Sequence, residues 1–254
     1  MMKVGGGSIP MARIRERLDR LLSRRDFDGA RRHLQYWMSE ARACGDTQGE
    51  LLVLSEYIGF CRKAGDRDGA MESIKAALGL LESIGLKGTI TGGTVCVNAA
   101  TALNAFGENE RALQLFERAR TAYEAGGADD ALLGGLYNNM GLTCSALREY
   151  DKAMALFTRA LAHMERVAGG APERAITCLN MANLIEAQVG MEAGESRIYA
   201  LLDRAAELLD DPAIPHDGYY AFVCEKCVPT FEYYGYFADA ARFAEEAERI
   251  YAGY

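Results

Sequence analysis

The fold is decided by the stretch Leu136-Tyr137-Asn138-Asn139-Met140-Gly141-Leu142, followed by Tyr150-Asp151-Lys152-Ala153 and Phe157-Thr158-Arg159-Ala160-Leu161. Ala153, Phe157 and Ala160 are spaced so that they share one face of a helix. The same pattern, an alanine followed by apolar residues four and seven positions later, occurs five times in the chain. The five copies are Ala30-Leu34-Trp37, Ala70-Ile74-Ala77, Ala112-Phe116-Ala119, Ala153-Phe157-Ala160 and Ala240-Ala244-Ala247. An internal repeat therefore organises the chain.

The spacing of the copies predicts six repeats. The leading alanines of the first four copies lie 40, 42 and 41 residues apart. The interval of 87 residues before Ala240 leaves room for one degenerate copy, for which we take Ile198-Leu202-Ala205. Turn signals precede most copies, as in Gly65-Asp66-Arg67-Asp68, because glycine can end one helix and aspartate can cap the next. Each repeat is therefore predicted to be a helical hairpin, and hairpins must stack to bury their apolar faces.

The fourth copy resembles a tetratricopeptide repeat. Gly141, Ala153, Phe157 and Ala160 stand where that family keeps small and aromatic packing residues. The usual repeat has about 34 residues, so the spacing near 41 is more similar to the longer helices of kinesin light chains and bacterial peptide-sensing regulators. The resemblance implies an all-α fold, a right-handed α-solenoid of about six hairpins. We expect one domain over residues 10–254 after a flexible N-terminus at residues 1–9.

The bulk properties restrict the class of partner. A net charge of −8 argues against nucleic-acid binding, which would require a basic surface. No apolar run approaches the roughly 20 residues of a membrane span, and Met1 to Pro10 contains no apolar signal core. Seven cysteines agree with a reducing compartment. We therefore expect a cytoplasmic protein without a nucleic-acid or membrane partner.

Cys224 and Cys227 form the one motif that invites a chemical interpretation. A structural zinc site needs about four ligands, and His216 is the nearest additional candidate. The repeat register instead places six cysteines on packing positions: Cys61, Cys96, Cys144, Cys178, Cys224 and Cys227. The histidines His33, His163 and His216 belong to different repeats. The sequence predicts no catalytic residue, no metal and no cofactor, and therefore no enzyme.

Asparagines recur at one register position of the first helices. Asn98 and Asn139 lie fourteen residues before the leading alanines of their repeats, and Asn180 follows 41 residues later. Helical geometry places Asn139 opposite the packed face, which by the resemblance would line a concave groove. An amide carries both donors and acceptors and so matches a peptide backbone. The candidate ligand residues are Asn98, Asn139, Asn180, Asn183, Thr94, Thr101 and Leu142, with possible groove ends at Glu16, Glu56, Lys63 and Lys226.

The sequence thus predicts an adaptor that binds a peptide or protein in the groove. The middle of the groove is uncharged, so we do not expect it to clamp a carboxylate. In one alternative the asparagines only bond neighbouring helices or water. In another the chain is a structural scaffold, a homodimer joined through the aromatic C-terminal repeat, which holds seven of the thirteen tyrosines. A third alternative is the sensing half of a bacterial regulator. We also expect Pro229 to kink or split its helix.

Overall fold

The structure is a computed structural model that describes residues 8–253, and within that range every regular element is a helix. The helices are Met11–Ser23 (α1), Phe27–Cys44 (α2), Thr47–Ala64 (α3), Arg67–Ser83 (α4), Ile90–Ala105 (α5), Asn109–Gly126 (α6), Asp130–Ala146 (α7), Tyr150–Met164 (α8), Ala171–Val189 (α9), Met191–Leu209 (α10), Gly218–Tyr233 (α11) and Phe237–Ala252 (α12). The prediction of an all-α fold built from six hairpins is confirmed. Most of the N-terminus predicted to be flexible, residues 1–7, lies outside the described residues.

The helices form two compact units, the first ending at Ala128 and the second beginning at Asp129. Unit 1 contains α1 to α6, and unit 2 contains α7 to α12. In each unit the two helices of a repeat pack against each other, and the first helices of successive repeats also touch: α1, α3 and α5 in unit 1, and α7, α9 and α11 in unit 2. That residues 10–254 form one continuous domain stays a prediction.

Glycine and aspartate fix the turn between α3 and α4, as the sequence indicated. Gly65 ends α3 in the left-handed region with φ of 71°, a conformation that glycine adopts readily. Asp66 then caps α4, its carboxylate accepting a hydrogen bond from the backbone N–H of Gly69 at 2.9 Å. Aspartate caps α2 and α3 in the same way, through the N–H of a glycine three residues later. The other second helices, α6, α8, α10 and α12, begin without a side-chain cap.

The prediction that the fifth copy begins at Ile198 is wrong by one helical turn. Gly194 takes the place of the leading alanine, because its N–H bonds the carbonyl of Gly190 just as the Ala153 N–H bonds the carbonyl of Glu149. A Cβ at Gly194 would lie 2.7 Å from Ile185, so the closer packing of α9 and α10 excludes alanine. The key residues of the six repeats are therefore Ala30, Ala70, Ala112, Ala153, Gly194 and Ala240, all of them buried.

The core of each unit lies between its paired helices. Six cysteines contribute to it, and only Cys44 is exposed among the seven, which confirms the prediction that Cys61, Cys96, Cys144, Cys178, Cys224 and Cys227 are packing residues. The aromatic rings of Phe116, Phe157 and Phe243 are completely buried in the second helices. Pro229 does not split its helix, because α11 runs through it without a break.

Candidate functional site on the first helices

The candidate site is the face of the first helices that carries the positions 14, 11 and 7 residues before each key residue, called here the ligand face. In unit 1 the ligand face consists of Glu16, Asp19 and Ser23 on α1, Glu56, Gly59 and Lys63 on α3, and Asn98, Thr101 and Ala105 on α5. In unit 2 it consists of Asn139, Leu142 and Ala146 on α7, Asn180, Asn183 and Ala187 on α9, and Lys226, Pro229 and Tyr233 on α11. Each of these residues is half-buried or exposed.

Two of the three predicted asparagines bond a neighbouring first helix. The Asn98 amide on α5 donates to the Ser55 hydroxyl on α3 at 2.8 Å. The Asn180 amide on α9 donates to the Asn138 carbonyl oxygen on α7 at 3.1 Å. In both cases a residue 14 positions before one key residue meets the residue 15 positions before the key residue of the preceding repeat. We call this contact a rung.

A third rung forms at the same two register positions without an asparagine. Arg15 on α1 lies 15 residues before its key residue and pairs with Glu56 on α3 at 2.6 Å. The rung is therefore an ion pair between the first two repeats and a neutral hydrogen bond elsewhere. The sequence predicted Asn98 and Asn180 as ligand contacts, and the structure shows that their donor groups join first helices.

Asn139 makes no rung. The residue that would precede it in the register is Val97, whose side chain can neither donate nor accept a hydrogen bond. Within residues 8–253 the half-buried Asn139 side chain has no hydrogen-bond partner, although its own backbone carbonyl accepts from Thr143. Of the three register asparagines, Asn139 is the one with both its donor and its acceptor unused by the described chain.

Leu142 and Asn183 lie on the ligand face one turn beyond the asparagine position. Leu142 exposes 40% of its surface. Asn183 is exposed, and its side-chain amide lies 3.1 Å from the Tyr234 hydroxyl.

The two predicted threonines are less suited to a ligand. The Thr101 hydroxyl donates to the carbonyl of Val97 in its own helix at 2.8 Å. The Thr94 hydroxyl lies 3.0 Å from the Tyr123 hydroxyl and 3.1 Å from the carbonyl of Ile90. Both hydroxyl groups therefore already have partners in unit 1.

The charged residues proposed as groove ends are mostly neutralised. Glu56 is paired with Arg15 in the rung, and Glu16 lies 3.5 Å from Arg20 one turn along α1. The acidic end expected from the sequence is therefore compensated by arginines. Lys63 is exposed. The Lys226 ammonium lies over the Phe222 ring, 5.5 Å from its centroid.

The tyrosines of the last hairpin mostly bond carboxylates, which no sequence motif indicated. Glu186 on α9 accepts from the hydroxyls of Tyr233 at 2.8 Å and Tyr234 at 2.7 Å. The same kind of contact joins Tyr219 with Glu173, Tyr236 with Asp203, and Tyr251 with Glu225. Four of these five bonds connect the last hairpin to the one before it. The aromatic C-terminus thus serves largely to hold the last repeat in place.

The thiols of α11 are unsuited to catalysis or metal binding. Burial raises the pKa of Cys224 to about 11 and that of Cys227 to about 12, so both remain protonated at neutral pH. Thiolates are the form that attacks substrates and binds zinc. In the part of the chain that the structure describes, no three His, Cys, Asp or Glu side chains are grouped to hold a metal ion.

Comparisons with known proteins agree with this architecture. Residues 93–166 match the family described as tetratricopeptide repeat. Residues 93–166 are therefore tetratricopeptide repeats. Such repeats generally serve as scaffolds for protein interactions and are typically non-catalytic. No curated protein sequence matches the chain significantly, and no helix of residues 8–253 is long and apolar enough to cross a membrane.

Solved structures extend the likeness of fold beyond the matched segment. The chain is similar to BtubC (BKLC) from P. vanneervenii, with 17% identity, a TM-score of 0.60 and coverage of 91% of each chain. It is also similar to a putative kinesin light chain from Podosopora anserina with nearly identical TPR-like repeats, with 13% identity and a TM-score of 0.55. That match covers 80% of this chain and 95% of the other. At these identities the comparison shows the shared fold.

Proposed function

We propose that this protein is an adaptor that binds an extended peptide, or an extended segment of a protein, on the ligand face. The observation that carries the proposal is Asn139, a half-buried amide in mid-helix with no partner among the described residues. Asparagine is a poor helix former relative to alanine. An asparagine that stabilises neither its helix nor a neighbouring helix is best explained by a contact with a ligand.

The rung of unit 2 holds Asn180 in the same unit as Asn139. Asn180 donates through its amide nitrogen to the Asn138 carbonyl oxygen on α7. Its own carbonyl oxygen accepts no hydrogen bond from residues 8–253, so it can accept one from a ligand N–H. Because the rung already holds this side chain, binding would not have to restrict its rotamer further.

Apolar and small residues lie near the Asn139 amide on α7. Leu142 is 40% exposed on the same face, and small residues lie one turn before Asn139, at Gly135, and one turn after Leu142, at Ala146. Small residues allow a backbone to approach closely, and an exposed leucine provides apolar area for a side chain to cover. Asn183 contributes an exposed amide from α9. This arrangement suits a segment held by its backbone with one apolar side chain against Leu142.

The general character of the fold supports binding over catalysis. The pKa values of the buried thiols are raised, and the similar solved structures include a protein called a putative kinesin light chain. We infer a scaffold for other proteins from this fold and a peptide ligand from the amides.

Selection of peptides from a random displayed library on the purified chain tests the proposal. The selected peptides are then labelled, and their affinity for single variants is measured by fluorescence anisotropy. We expect Asn139→Ala and Leu142→Glu each to weaken binding about tenfold or more, since each removes or opposes a direct contact. Lys75→Ala is the matched control, because Lys75 is an exposed residue of α4, a second helix of its hairpin.

Two results would contradict the proposal. In the first, no library peptide binds the chain above the background of an unrelated helical protein. In the second, selected peptides bind equally well to the wild type, to Asn139→Ala and to Leu142→Glu, which would place the binding site elsewhere.

A further inference from the structure

The outer face of α1 carries arginines at register positions where α3 carries apolar residues. Arg13, Arg17 and Arg20 are exposed on α1. Their register equivalents 40 residues later face the preceding hairpin and are buried in the core of unit 1. Those equivalents are Val53, Tyr57 and Phe60. The first hairpin therefore presents arginines at the positions that a preceding repeat would otherwise cover.

These arginines surround a cleft. It has a volume of about 290 Å³ and is lined by Arg13, Glu16, Arg17, Arg20, His33 and Trp37. The cleft combines three arginine side chains and one carboxylate with two aromatic rings, those of His33 and Trp37. Such a lining suits an aromatic side chain, which can stack on guanidinium groups and on the indole ring.

The last hairpin exposes an aromatic side chain on its outer surface. Phe237 begins α12 and is 69% exposed. Its equivalent in the first repeat is Phe27, which packs against the Phe60 ring of the following repeat with centroids 6.4 Å apart. Phe237 itself contacts no aromatic ring among residues 8–253 and stays exposed.

The face of α12 that contains Phe237 is acidic. Glu245 and Glu248 lie within about 80° of Phe237 around the helix, because successive residues rotate by about 100°. Both are exposed, and neither forms an ion pair with a described residue. Tyr251 extends the same face and is 42% exposed.

We propose that this protein associates head to tail with further copies of itself. Phe237 of one copy enters the arginine-lined cleft on the first hairpin of the next, and Glu245 and Glu248 face Arg13 and Arg17. A polar end is enough to keep a solenoid soluble, and either sign of charge would serve. The two end hairpins carry opposite charges, and one has an exposed ring where the other has a cleft. Solubility alone does not require these features. Because the two surfaces differ, the contact is heterologous and adds copies in a chain or closes a ring.

One pair of residues opposes this stacking and allows a gain-of-function test. In the repeat register a rung between copies would place Glu225 of one copy beside Glu16 of the next, and both are carboxylates. The native rung at the equivalent position joins Arg15 to Glu56. Glu16→Arg would convert the repulsive pair into an attractive one and strengthen association.

Sedimentation velocity of the full chain in low-salt buffer, over a wide range of protein concentration, tests the inference. The head-blocked variant carries Arg13→Glu and Arg17→Glu, and the tail-blocked variant carries Glu245→Arg and Glu248→Arg. We expect the wild type to form species that grow with concentration and dissociate in high salt. Each blocked variant should associate about a hundredfold more weakly. Arg197→Glu, a charge reversal on the exposed face of α10, is the control and should behave as the wild type.

Mixing the variants distinguishes this arrangement from a symmetric dimer. An equimolar mixture of head-blocked and tail-blocked chains retains one intact head and one intact tail, so it should form a dimer that does not grow. A chain carrying all four reversals should associate again. A wild type and a Glu16→Arg variant that both remain monomeric at every concentration would overturn the inference. So would a dimer unaffected by the head-blocking reversals, which would indicate pairing through the C-terminal repeat alone.

Discussion

Asn180→Ala and Asn139→Ala differ in one structural respect that can be measured. Both asparagines are half-buried at the same register position of a first helix in unit 2, so alanine raises helix propensity equally in each. Asn180 gives up its bond to Asn138 at 3.1 Å, whereas Asn139 gives up no bond to the described chain. One intramolecular hydrogen bond contributes about 0.5–1.5 kcal/mol to stability. We therefore expect Asn180→Ala to be less stable than Asn139→Ala by about 1 kcal/mol.

Thermal unfolding of the full chain, followed by circular dichroism, is the assay. For a protein of this size a change of 1 kcal/mol shifts the Tm by about 2–4 °C. Asn139→Ala should melt at or slightly above the wild-type temperature, because the gain in helix propensity has no bond to offset it. If Asn139→Ala lowers the Tm as much as Asn180→Ala does, Asn139 stabilises the fold. Its assignment as a ligand contact would then lose its basis.

Three further predictions follow from the core and the termini. Gly141→Ala should lower the free energy of unfolding by about 1–3 kcal/mol, because a Cβ there would lie 2.5 Å from the Phe157 ring; urea unfolding measures this. Titration of the native chain with a thiol reagent at pH 8 should modify Cys44 rapidly and the six buried thiols slowly. Burial and the bond to Asp203 raise the pKa of Tyr236 above that of a free tyrosine. The protonated Tyr236 side chain therefore contributes fully to stability below about pH 10, and this contribution is lost as the pH rises through the folded-state pKa. We expect Tyr236→Phe to lose less stability than the wild type between pH 9 and 11.

Each of these predictions has a control or a contradicting result. Gly79→Ala is the control for the glycine substitution, since a Cβ at Gly79 would meet no atom within 4 Å and should stabilise α4 by about 0.5–1 kcal/mol. Rapid modification of Cys224 or Cys227 would show that α11 is not packed as described. If the wild type and Tyr236→Phe lost equal stability at alkaline pH, the fold would not raise the pKa of Tyr236.

The residues that define the repeat were readable from the sequence because their effects are local. A capping pair such as Asp66 and Gly69 lies within one turn, and the period from Ala112 to Ala153 is a matter of counting. The alanine pattern does not reveal Gly194, because glycine lacks the side chain that defines the pattern. Alanine spacing could not show that the close approach of Ile185 excludes a Cβ there.

The candidate site was only partly predictable for the same reason. The sequence located Asn98, Asn139 and Asn180 at one register position, which follows from helical periodicity and needs no tertiary information. It could not show that the first and last of these donate to a neighbouring helix while Asn139 has no partner, because the answer depends on a second residue about 40 positions away.

By itself the sequence determined the helical class, the six hairpins and the burial of the cysteines, since each of these follows from periodicity over neighbouring residues. Only the tertiary structure decided the rungs and the bonds between the last tyrosines and the carboxylates of the preceding hairpin. A hydrogen bond between side chains of different helices depends on distances of a few tenths of an ångström. Those distances are set by how the helices pack, and the order of the residues does not contain them.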